Sequence, residues 1–481
     1  MHGDLTRAGT RPNPWLALGV LCLANFLILL DTTIVNTAAP VIMRVLEAGI
    51  DEILWILNGY LLAFAALLIV FGHLGDLLGP RAVFLAGLAG FTVTSVLCGL
   101  SGTPELLIVF RVLQGVSAAA LVPQALVLIS GIFPARRRGA AFGVFTAVAG
   151  LASVSGPTLG GLLVTEFGWQ SIFFLNLPVG LIAIVATLRL VPDLRTGRGH
   201  RFDLVGVLLA TTGLTALVFG LIEGEPHDWG TVAGPVTIPA IFLASAALLV
   251  AFVLWERRRP EPLLPLALFR NRNFGIATTI TLITSFALYG LLLVFVLETQ
   301  LLLGMSPVAS GLSALPWTLA LSAVAPVAGR LTDRIGGKFL LVSGLALFAL
   351  GVLGVGVLPD SSSTAATFIL PLIAVGVGQG LTLAPATTEA MRDIAPGDSG
   401  AASGVVNTVR QVGGALGAAV VGAILQNRVT SELLSAARTA LVVLAGVLVA
   451  GAALGATMSG RAASTRSGGS GTSDDTRQVI E

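Results

Sequence analysis

Charged side chains are scarce in this 481-residue sequence, at 11% of all residues, and lysine occurs once, as Lys338. With 55% hydrophobic residues and a mean hydropathy of +0.93, the chain has too little polar surface to cover a water-soluble globule. The single lysine follows two glycines but completes no G-x-x-x-x-G-K-[S/T] loop, the phosphate-binding loop of many ATPases. We therefore expect no ATP hydrolysis by this chain.

Cysteine and histidine are also rare. The two cysteines, Cys22 and Cys98, both lie in apolar stretches, where a free cysteine acts as a small hydrophobic side chain. The four histidines are scattered and lack the spacing of metal ligands. The sequence predicts no disulfide, no metal site and no other cofactor.

Long apolar runs make up most of the chain. Each is close to the roughly 20 residues that a helix needs to cross a hydrocarbon core of about 30 Å. The runs are continuous and do not alternate, so helices are favoured over barrel strands. We predict an all-α polytopic membrane protein. Its fourteen spans begin at Trp15, Ile53, Ala82, Pro104, Ala140, Ser171, Asp203, Gly234, Phe274, Gly311, Phe339, Thr367, Ala402 and Ala437.

Basic residues fall mostly on one side of this arrangement. If both termini are cytoplasmic, most arginines lie in cytoplasmic loops, and the external loops lean towards acidic residues. The positive-inside rule therefore supports an even number of spans. We predict a multi-pass protein of the cell (plasma or inner) membrane with both termini in the cytoplasm.

Two short sequence patterns at the ends of the spans occur twice in the chain. Residues 72–81 and 329–338 share the frame G-x-x-x-D-x-x-G-x-[R/K], and the Gly-rich segments 140–144 and 401–405 recur at almost the same spacing. We read two related six-helix bundles with two helices inserted between them. The predicted division is a cytoplasmic N-terminus (1–14), a first bundle (15–192), the inserted pair with basic linkers (193–272), a second bundle (273–458) and a disordered cytoplasmic tail (459–481).

Asp31 and Arg111 are ionisable residues inside predicted spans. A charge near the middle of a membrane helix costs about 2.5 to 3.5 kcal/mol even on the gentler insertion scale, so a compensating partner is expected. At 1.5 Å per residue the two lie roughly 6 and 10 Å from the outer ends of their helices, close enough to share a level. Two interpretations stay open: a permanent ion pair that fixes packing, or a carboxylate that gains and loses a proton.

Motifs around these residues resemble those of the fourteen-helix drug:proton antiporters of the major facilitator superfamily (the EmrB/QacA type). The segment 30–40 (LDTTIVNTAAP) is similar to the first-helix motif of that family, and 111–115 (RVLQG) to its fourth-helix motif. The segment 156–161 (GPTLGG) resembles its antiporter motif, and 169–180 and 407–411 resemble stretches typical of this branch. The resemblance runs from residue 30 to 411.

The resemblance implies a major facilitator fold of two bundles that rock about a central site. It implies proton handling for Asp31 and proton coupling for Arg111. It also implies a conformational switch at Gly156, Pro157, Gly160 and Gly161. Small residues there let another helix approach closely, and a proline bends its own helix. Ordinary small-residue packing is the alternative, and Ala152 stands where the family has glycine.

The repeated loop frame predicts a cytoplasmic latch. Its residues are Gly72, Asp76, Gly79, Arg81 and Asp333. The first copy has Leu77 and Pro80 where the family usually has further basic residues. We expect Asp76 to pair with Arg81 or with the end of a neighbouring helix; the alternative is a plain tight turn.

Further polar residues are candidates for the lining of a central cavity. They are Asn36, Gln114, Glu298, Arg410 and Gln411. Arg410 either faces the cavity or extends towards the cytoplasm, and Glu298 either lines an exit path or sits in interfacial water. Six further residues either line the cavity, form hydrogen bonds between helices or act as anchors at the membrane interface: Asn25, Asn58, Gln124, Tyr289, Trp317 and Gln379.

These observations predict a secondary transporter, not an enzyme. We expect export of small amphipathic compounds of the drug and antibiotic class in exchange for protons, by alternating access. The partners are then a small-molecule substrate, protons and the lipid bilayer, without nucleic acid, and the chain acts as a monomer. The alternatives are a dedicated metabolite exporter or symporter of the same fold, a non-transporting membrane protein, and a membrane-embedded enzyme, for which clustered acids or a nucleophile with a base are missing.

Overall fold

A computed structural model of the protein describes residues 13–194, 203–224, 226–259, 262–305, 307–357, 365–425 and 430–459. Apart from Asn13, Pro14 and Ser459, the predicted terminal segments lie outside these ranges. Sixteen α-helices account for most of the described residues. They are α1 (Pro14–Leu46), α2 (Ile50–Leu78), α3 (Pro80–Gly99), α4 (Pro104–Ile132), α5 (Ala135–Phe167), α6 (Ser171–Phe174), α7 (Asn176–Leu190), α8 (Leu204–Glu223), α9 (Ile238–Glu256), α10 (Arg272–Leu297), α11 (Pro307–Ser313), α12 (Leu315–Ile335), α13 (Lys338–Val357), α14 (Ile369–Met391), α15 (Ser399–Leu425) and α16 (Thr430–Ala456).

Short elements join some of these helices. A small antiparallel hairpin, β1 (Thr231–Ala233) and β2 (Val236–Thr237), separates α8 from α9. One π-helical turn extends α10 over Glu298–Leu302. The three 3₁₀ turns are Leu266–Arg270, Ala365–Phe368 and Pro396–Asp398.

Local sequence signals set several helix starts. The side chain of Asn13 accepts a hydrogen bond from the Trp15 N–H, and Thr103 accepts one from the Leu106 N–H in the same way. Each of these two caps is followed directly by proline, whose missing N–H costs nothing in the first turn of a helix.

The number of spans differs from the prediction. Within the described ranges, twelve helices are long and apolar enough to cross a membrane. The predicted fifth and tenth spans are helical, as α5 and α12, but neither is among the twelve. The predicted count of fourteen is therefore not confirmed, whereas the all-helical fold is.

Packing explains the lower apolarity of α5 and α12. The two helices lie against each other through small residues: a Cβ added at Gly143 would meet Pro326 Cα at 2.7 Å, and the Ser322 hydroxyl donates to the carbonyl of Ala147. Helices that face each other across such an interface gain from glycine, serine and threonine, and not from large apolar side chains. Their mean hydropathy is consequently lower than that of the twelve apolar helices, although both are as long as those helices.

Helix contacts repeat along the chain. We call α1–α7 the N-terminal half and α10–α16 the C-terminal half. In the N-terminal half α2 packs on α4, α3 on α4 and α7, and α1 on α5. In the C-terminal half α12 packs on α14, α13 on α14 and α16, and α10 on α15. The halves meet through α5 with α12 and α2 with α15, while α8 packs on α2 and carries α9.

The turns at Gly79 and Gly336 lie at one end of the bundle, which we call the latch end. Both glycines end a helix, α2 and α12 respectively, with φ of 94° and 82°. Such backbone angles are accessible essentially only to glycine. The two copies of the sequence frame therefore form the same turn, each leading directly into the next helix.

Candidate functional site

A buried ion pair is the centre of the polar network in the N-terminal half. Nη1 of Arg111, on α4, lies 2.5 Å from Oδ2 of Asp31, on α1. The same nitrogen donates to Oε1 of Gln114 at 2.7 Å, and Nε2 of Gln114 donates to Oδ1 of Asp31 at 3.0 Å. Each of the three residues is 1% exposed or less. Three predicted site residues thus form one closed triangle.

A third helix completes the carboxylate's shell. Nδ2 of Asn176, the first residue of α7, donates to Oδ1 of Asp31 at 3.1 Å and to the hydroxyl of Ser95, on α3, at 2.9 Å. The Ser95 hydroxyl then donates to the carbonyl of Phe173. Both oxygens of Asp31 are therefore hydrogen-bonded, and α1, α3, α4 and α7 are joined at one level.

The guanidinium group is equally well held. Nε of Arg111 donates to the carbonyl of Ile56, on α2, at 3.2 Å. Its central carbon lies 4.3 Å from the ring centroid of Tyr60, within range of a cation–π interaction. Tyr60 is 1% exposed and closes the network on this side.

Donors on Arg111, Gln114 and Asn176 are all aimed at the oxygens of Asp31, so the ion pair and its hydrogen bonds are satisfied together. Protonation would exchange a charge-assisted bond for a weaker one and leave Arg111 buried with reduced compensation. Loss of the partner is the expensive event: an uncompensated buried charge costs about 3 to 5 kcal/mol. The network can therefore couple a proton to movement only if the helices shift when Asp31 changes its charge.

The predicted switch segment packs against α1. A Cβ at Gly156 would meet Thr33 Cβ at 2.6 Å, and one at Gly160 would meet Ile34 Cγ1 at the same distance. Gly161 has open space at this position. The helix α5 runs without a break through position 157, from Ala135 to Phe167. Gly156 and Gly160 thus set how closely α5 lies against the helix that carries Asp31.

The first latch copy joins the two halves. The N–H groups of Gly400 and Ala401, in the first turn of α15, donate to the two carboxylate oxygens of Asp76 at 2.9 and 3.1 Å. A helix N-terminus carries unpaired N–H groups and a partial positive charge, so a carboxylate is stabilised there. Gly72 lies against the backbone of Gly400 and Gly404, where a side chain on either partner would prevent contact.

The second copy makes the same contact with the roles of the two halves exchanged. The N–H groups of Gly139 and Ala140, near the start of α5, donate to Asp333 at 2.8 and 3.0 Å. Gly139 also lies directly against Gly329. Each half therefore contributes one carboxylate and one helix start to the contact at the latch end.

Arg81 is not part of that contact. Its Nη2 donates to the carbonyl of Leu188, near the end of α7, at 2.5 Å. Of the two partners expected for Asp76, the structure thus shows the helix end. Arg81 ties α3 to α7 within the N-terminal half.

The cavity candidates on α15 face the N-terminal half. The hydroxyl of Ser403 donates to the carbonyl of Pro123, on α4, so this stripe of α15 points across the interface. Asn407 lies one turn further along the same stripe, and Arg410 and Gln411 lie two turns further. Nη1 of Arg410 donates to Oδ1 of Asn407 at 3.4 Å, within α15.

The remaining cavity candidates do not join the Asp31 network. Asn36 is exposed on α1, and its amide donates to the carbonyl of Thr32 in its own helix. Glu298 is 2% exposed and lies at the far end of α10 from the latch end. Elsewhere Trp317 Nε1 donates to Oε1 of Gln379 at 2.8 Å, a bond between α12 and α14.

Asn176 and Ser95 are functional candidates that the sequence reading did not select as site residues. Asn176 opens an apolar span, which is a usable signal, because amides inside membrane helices are rare and usually bonded. Ser95 carries no such signal among the other small residues of α3. In the described ranges no group of histidine, cysteine, aspartate or glutamate side chains could hold a metal ion.

In the described part of the chain, twelve apolar helices enclose a buried ion pair and two matching latch contacts, which indicates a polytopic membrane protein. Residues 21–418 match the Major Facilitator Superfamily, so the chain belongs to this family of transporters, which are not enzymes. The multi-pass membrane location follows from the same findings.

Two relatives and two solved structures illustrate the match. The tetracenomycin C resistance and export protein of Streptomyces glaucescens is 40% identical over 428 residues, 88% of this chain and 78% of that protein. The multidrug resistance protein Stp of Mycobacterium tuberculosis is 38% identical over 405 residues, 84% of this chain and 74% of its own. The human organic anion transporter MFSD10 and the proton:xylose symporter XylE both superpose with a TM-score of 0.67 over 92% of this chain. The aligned regions span 100% of MFSD10 and 94% of XylE. The sequence identities are 15% and 12%, so these matches show the shared fold alone.

Proposed function

We propose that the protein exports small amphipathic compounds of the drug and antibiotic class in exchange for protons. The buried Asp31–Arg111 pair is the observation that carries this proposal, because it is a fully satisfied ionisable pair inside a transporter. The names of two relatives that are 40% and 38% identical to this chain over the aligned residues support the export of antibiotics. The proton gradient supplies the energy, and no cofactor is needed.

The way in which Asp31 is held supports proton coupling. One proton on Asp31 removes the charge that Arg111, Gln114 and Asn176 are arranged to bind. The network joins α1 to α4 and α7, and α1 in turn packs on Gly156 and Gly160 of α5. A change at Asp31 therefore acts on α5, which is the helix that meets the C-terminal half through α12.

Alternating access uses both copies of the latch. The contacts of Asp76 and Asp333 hold the halves together at one end, and the positive-inside rule puts that end in the cytoplasm. In this proposal the end held by the two carboxylates is the closed, cytoplasmic end. Opening requires both carboxylates to leave their helix starts, which is the step that proton movement drives.

The fourteen-span arrangement belongs to the same proposal. We include α5 and α12 as spans because each is long enough to cross the bilayer and each packs between other spans. The domain division at 15–192, 193–272 and 273–458, cytoplasmic termini and action as a monomer also stay predictions.

A dedicated exporter of one compound is the second candidate. It is favoured by the names of other relatives, such as the probable actinorhodin transporter of Streptomyces coelicolor and the cephamycin export protein CmcT of Amycolatopsis lactamdurans. Both candidates use the same machinery and differ only in the breadth of the substrate range.

Transport in inverted membrane vesicles tests the proposal. Vesicles are supplied with a panel of antibiotics, including tetracenomycin C and puromycin, and uptake is measured with and without a proton gradient. We expect uptake of several compounds, lost when the gradient is collapsed and lost in Asp31→Asn. Uptake of a single compound would favour the second candidate, a dedicated exporter.

The matched control is Glu105→Gln, which neutralises an exposed carboxylate in the first turn of α4, the helix that carries Arg111. Its uptake should equal that of the unmodified protein. Uptake that persists without a gradient, or that is undiminished in Asp31→Asn, contradicts proton coupling through Asp31.

A further inference from the structure

Glu298 has an environment opposite to that of Asp31. It is 2% exposed, and neither Oε1 nor Oε2 has a hydrogen-bond partner in the described part of the chain. Buried polar groups in native proteins are almost always paired, so each exception needs a physical reason. An ionised carboxylate without donors in an apolar site is the most costly case.

The surroundings of Glu298 are apolar. It follows Val294 and Phe295 by four and three residues, so it lies on the same face of the helix, and both are 1% exposed or less. Phe295 packs edge to face on Phe368, with ring centroids 5.5 Å apart. Glu298 thus points into the core of the C-terminal half, and not into water.

Glu298 is also the first residue of the π-helical turn at the end of α10. Such turns are rare, and they concentrate at functional sites. The next residue, Thr299, bonds to Ser310 of α11 through its hydroxyl at 2.6 Å. The Thr299 hydroxyl is therefore engaged elsewhere, and the Glu298 carboxyl group has no hydrogen-bond partner among the described residues.

Arg438 of α16 is the basic group whose charge reaches Glu298. The two form no ion pair within 4.0 Å, and Nε of Arg438 donates to the carbonyl of Gly356, on α13, at 3.1 Å. The arginine is thus near the carboxyl group but bound to a different partner. No other charged side chain of α13, α14, α15 or α16, in their described parts, is known to act on Glu298.

We propose that Glu298 is a second proton-binding site, occupied by a proton in this conformation. A neutral carboxylic acid removes the cost of a buried charge and needs no nearby donor. When the proton leaves, the carboxylate can be compensated by Arg438, which lies on a different helix. Protonation therefore decides whether Arg438 stays on α13 or turns to α10.

A metal cation does not fit this site. Sodium- or calcium-like ions need several oxygen ligands, and calcium takes about six to eight. Glu298 offers two oxygens among apolar neighbours, and the charge of Arg438 repels a cation. The proton is the one ligand that a lone carboxyl group can hold by itself.

The proton site is independent of what is transported, whereas its use in coupling rests on the proposed export function. In that use the two halves carry one acid each: Asp31 holds its charge while Glu298 holds a proton. A carrier with one such acid in each half has two sites at which protons can bind in one cycle.

Labelling with dicyclohexylcarbodiimide, which reacts with protonated carboxyl groups in apolar surroundings, tests the site directly. The full-length protein in nanodiscs is labelled at a series of pH values, and modified peptides are quantified by mass spectrometry. We expect labelling at Glu298 that falls about tenfold per pH unit above its midpoint, as for a single titrating group. Substituting Arg438→Gln should move that midpoint to higher pH.

Two carboxylates in the same sample serve as controls. Glu166, exposed near the end of α5, and Asp31, paired with Arg111, should remain unlabelled. An unlabelled Glu298 at every pH at which the protein remains folded, or labelling no greater than at Glu166, overturns the proposal. This assay needs no transport, so its failure leaves the export function untouched.

The coupling role is measured separately. Protons moved per substrate are counted in proteoliposomes for the unmodified protein and for Glu298→Gln, which mimics the neutral acid. We expect the variant to export with about half the proton count, a ratio that a purely structural role would not change. An unchanged ratio combined with labelled Glu298 would limit the site to proton binding and overturn its role in coupling.

Discussion

The two latch copies share one geometry but differ in their surroundings. Asp76 and Asp333 each accept two backbone N–H groups from the start of a helix in the opposite half, at 2.8 to 3.1 Å. Beside Asp333 lies an ion pair of Glu389 with Arg392 at 2.9 Å, and Arg392 also donates to the carbonyl of Thr332. Asp76 has no such ion pair among the described residues, and Arg81 points to α7.

This difference shows which contacts are common to both copies of the latch and which occur in only one. The backbone contact between glycines and the carboxylate at a helix start occur in both copies, so they form the minimal device. The ion pair occurs in one copy, so it is an addition. Asp76 is 8% exposed, whereas Asp333 is more accessible, and hydrogen bonds to a charge are stronger where water is excluded.

The largest effect is expected from adding one methyl group at a helix start. In Gly400→Ala the new Cβ would meet both Asp76 oxygens at 2.6 Å, and in Gly139→Ala it would meet Asp333 Oδ1 at 2.7 Å. Overpacking costs about 1 to 3 kcal/mol, or roughly fivefold to 150-fold in the population of the closed latch. Accessibility of a cysteine introduced by Ser403→Cys, at the interface with Pro123, reports opening.

Similar effects of Gly400→Ala and Gly139→Ala are the expected outcome, because both copies use the same geometry. The control is Gly446→Ala, an exposed helical glycine with open space around its added Cβ. Native Cys22 and Cys98 are buried, so background labelling is low. If Gly139→Ala behaves like the control while Gly400→Ala does not, the two copies are not equivalent.

Removing one carboxylate charge should affect the two latch copies to different extents. Hydrogen bonds to charged groups contribute about 1.5 to 3 kcal/mol, and more where they are buried. We expect Asp76→Asn to raise labelling of the introduced cysteine about tenfold and Asp333→Asn only about threefold, since Asp333 is more accessible to solvent. Labelling rates with an impermeant maleimide in inverted vesicles measure this order, and the reverse order would show that burial does not decide the strength.

The smallest effects concern the arginines. Arg392→Gln removes a partly exposed ion pair, and its effect should stay under about threefold, the range of surface pairs. Arg81→Gln should leave labelling unchanged, because Arg81 bonds to Leu188 and not to Asp76. A clear opening of the latch in Arg81→Gln would mean that the first copy uses a basic partner after all.

Much of the fold could be predicted from the sequence. Continuous apolar runs located the helices, and the Gly-Asp-Gly frame located both turns, because only glycine adopts their backbone angles. The count of spans did not follow, since hydropathy cannot separate a helix buried between others, such as α5, from one too polar to span. Spacing along the chain also gave no information on the small hairpin between α8 and α9.

The candidate site was predicted in part. A charged residue in an apolar span requires a partner, and this argument alone predicts the pairing of Asp31 with Arg111. The hydrogen bonds from Asn176 and the carbonyl of Ile56 did not follow, because they depend on helix rotation and on which face of each helix turns inward. The burial of Glu298 did not follow for the same reason: its position near the end of a span is compatible with an exit path or with interfacial water, and the sequence does not show which face of the helix it occupies.

Each half of the protein contains both members of the latch contact: a carboxylate near the end of one helix, α2 or α12, and a helix start that donates backbone N–H groups, on α5 or α15. Such a unit is complementary to a copy of itself. A gene for one half would therefore encode a surface able to form a symmetric dimer, with both contacts made at once and no linker required. The present chain has the geometry that remains when two such units are fused and only one of them adds an ion pair.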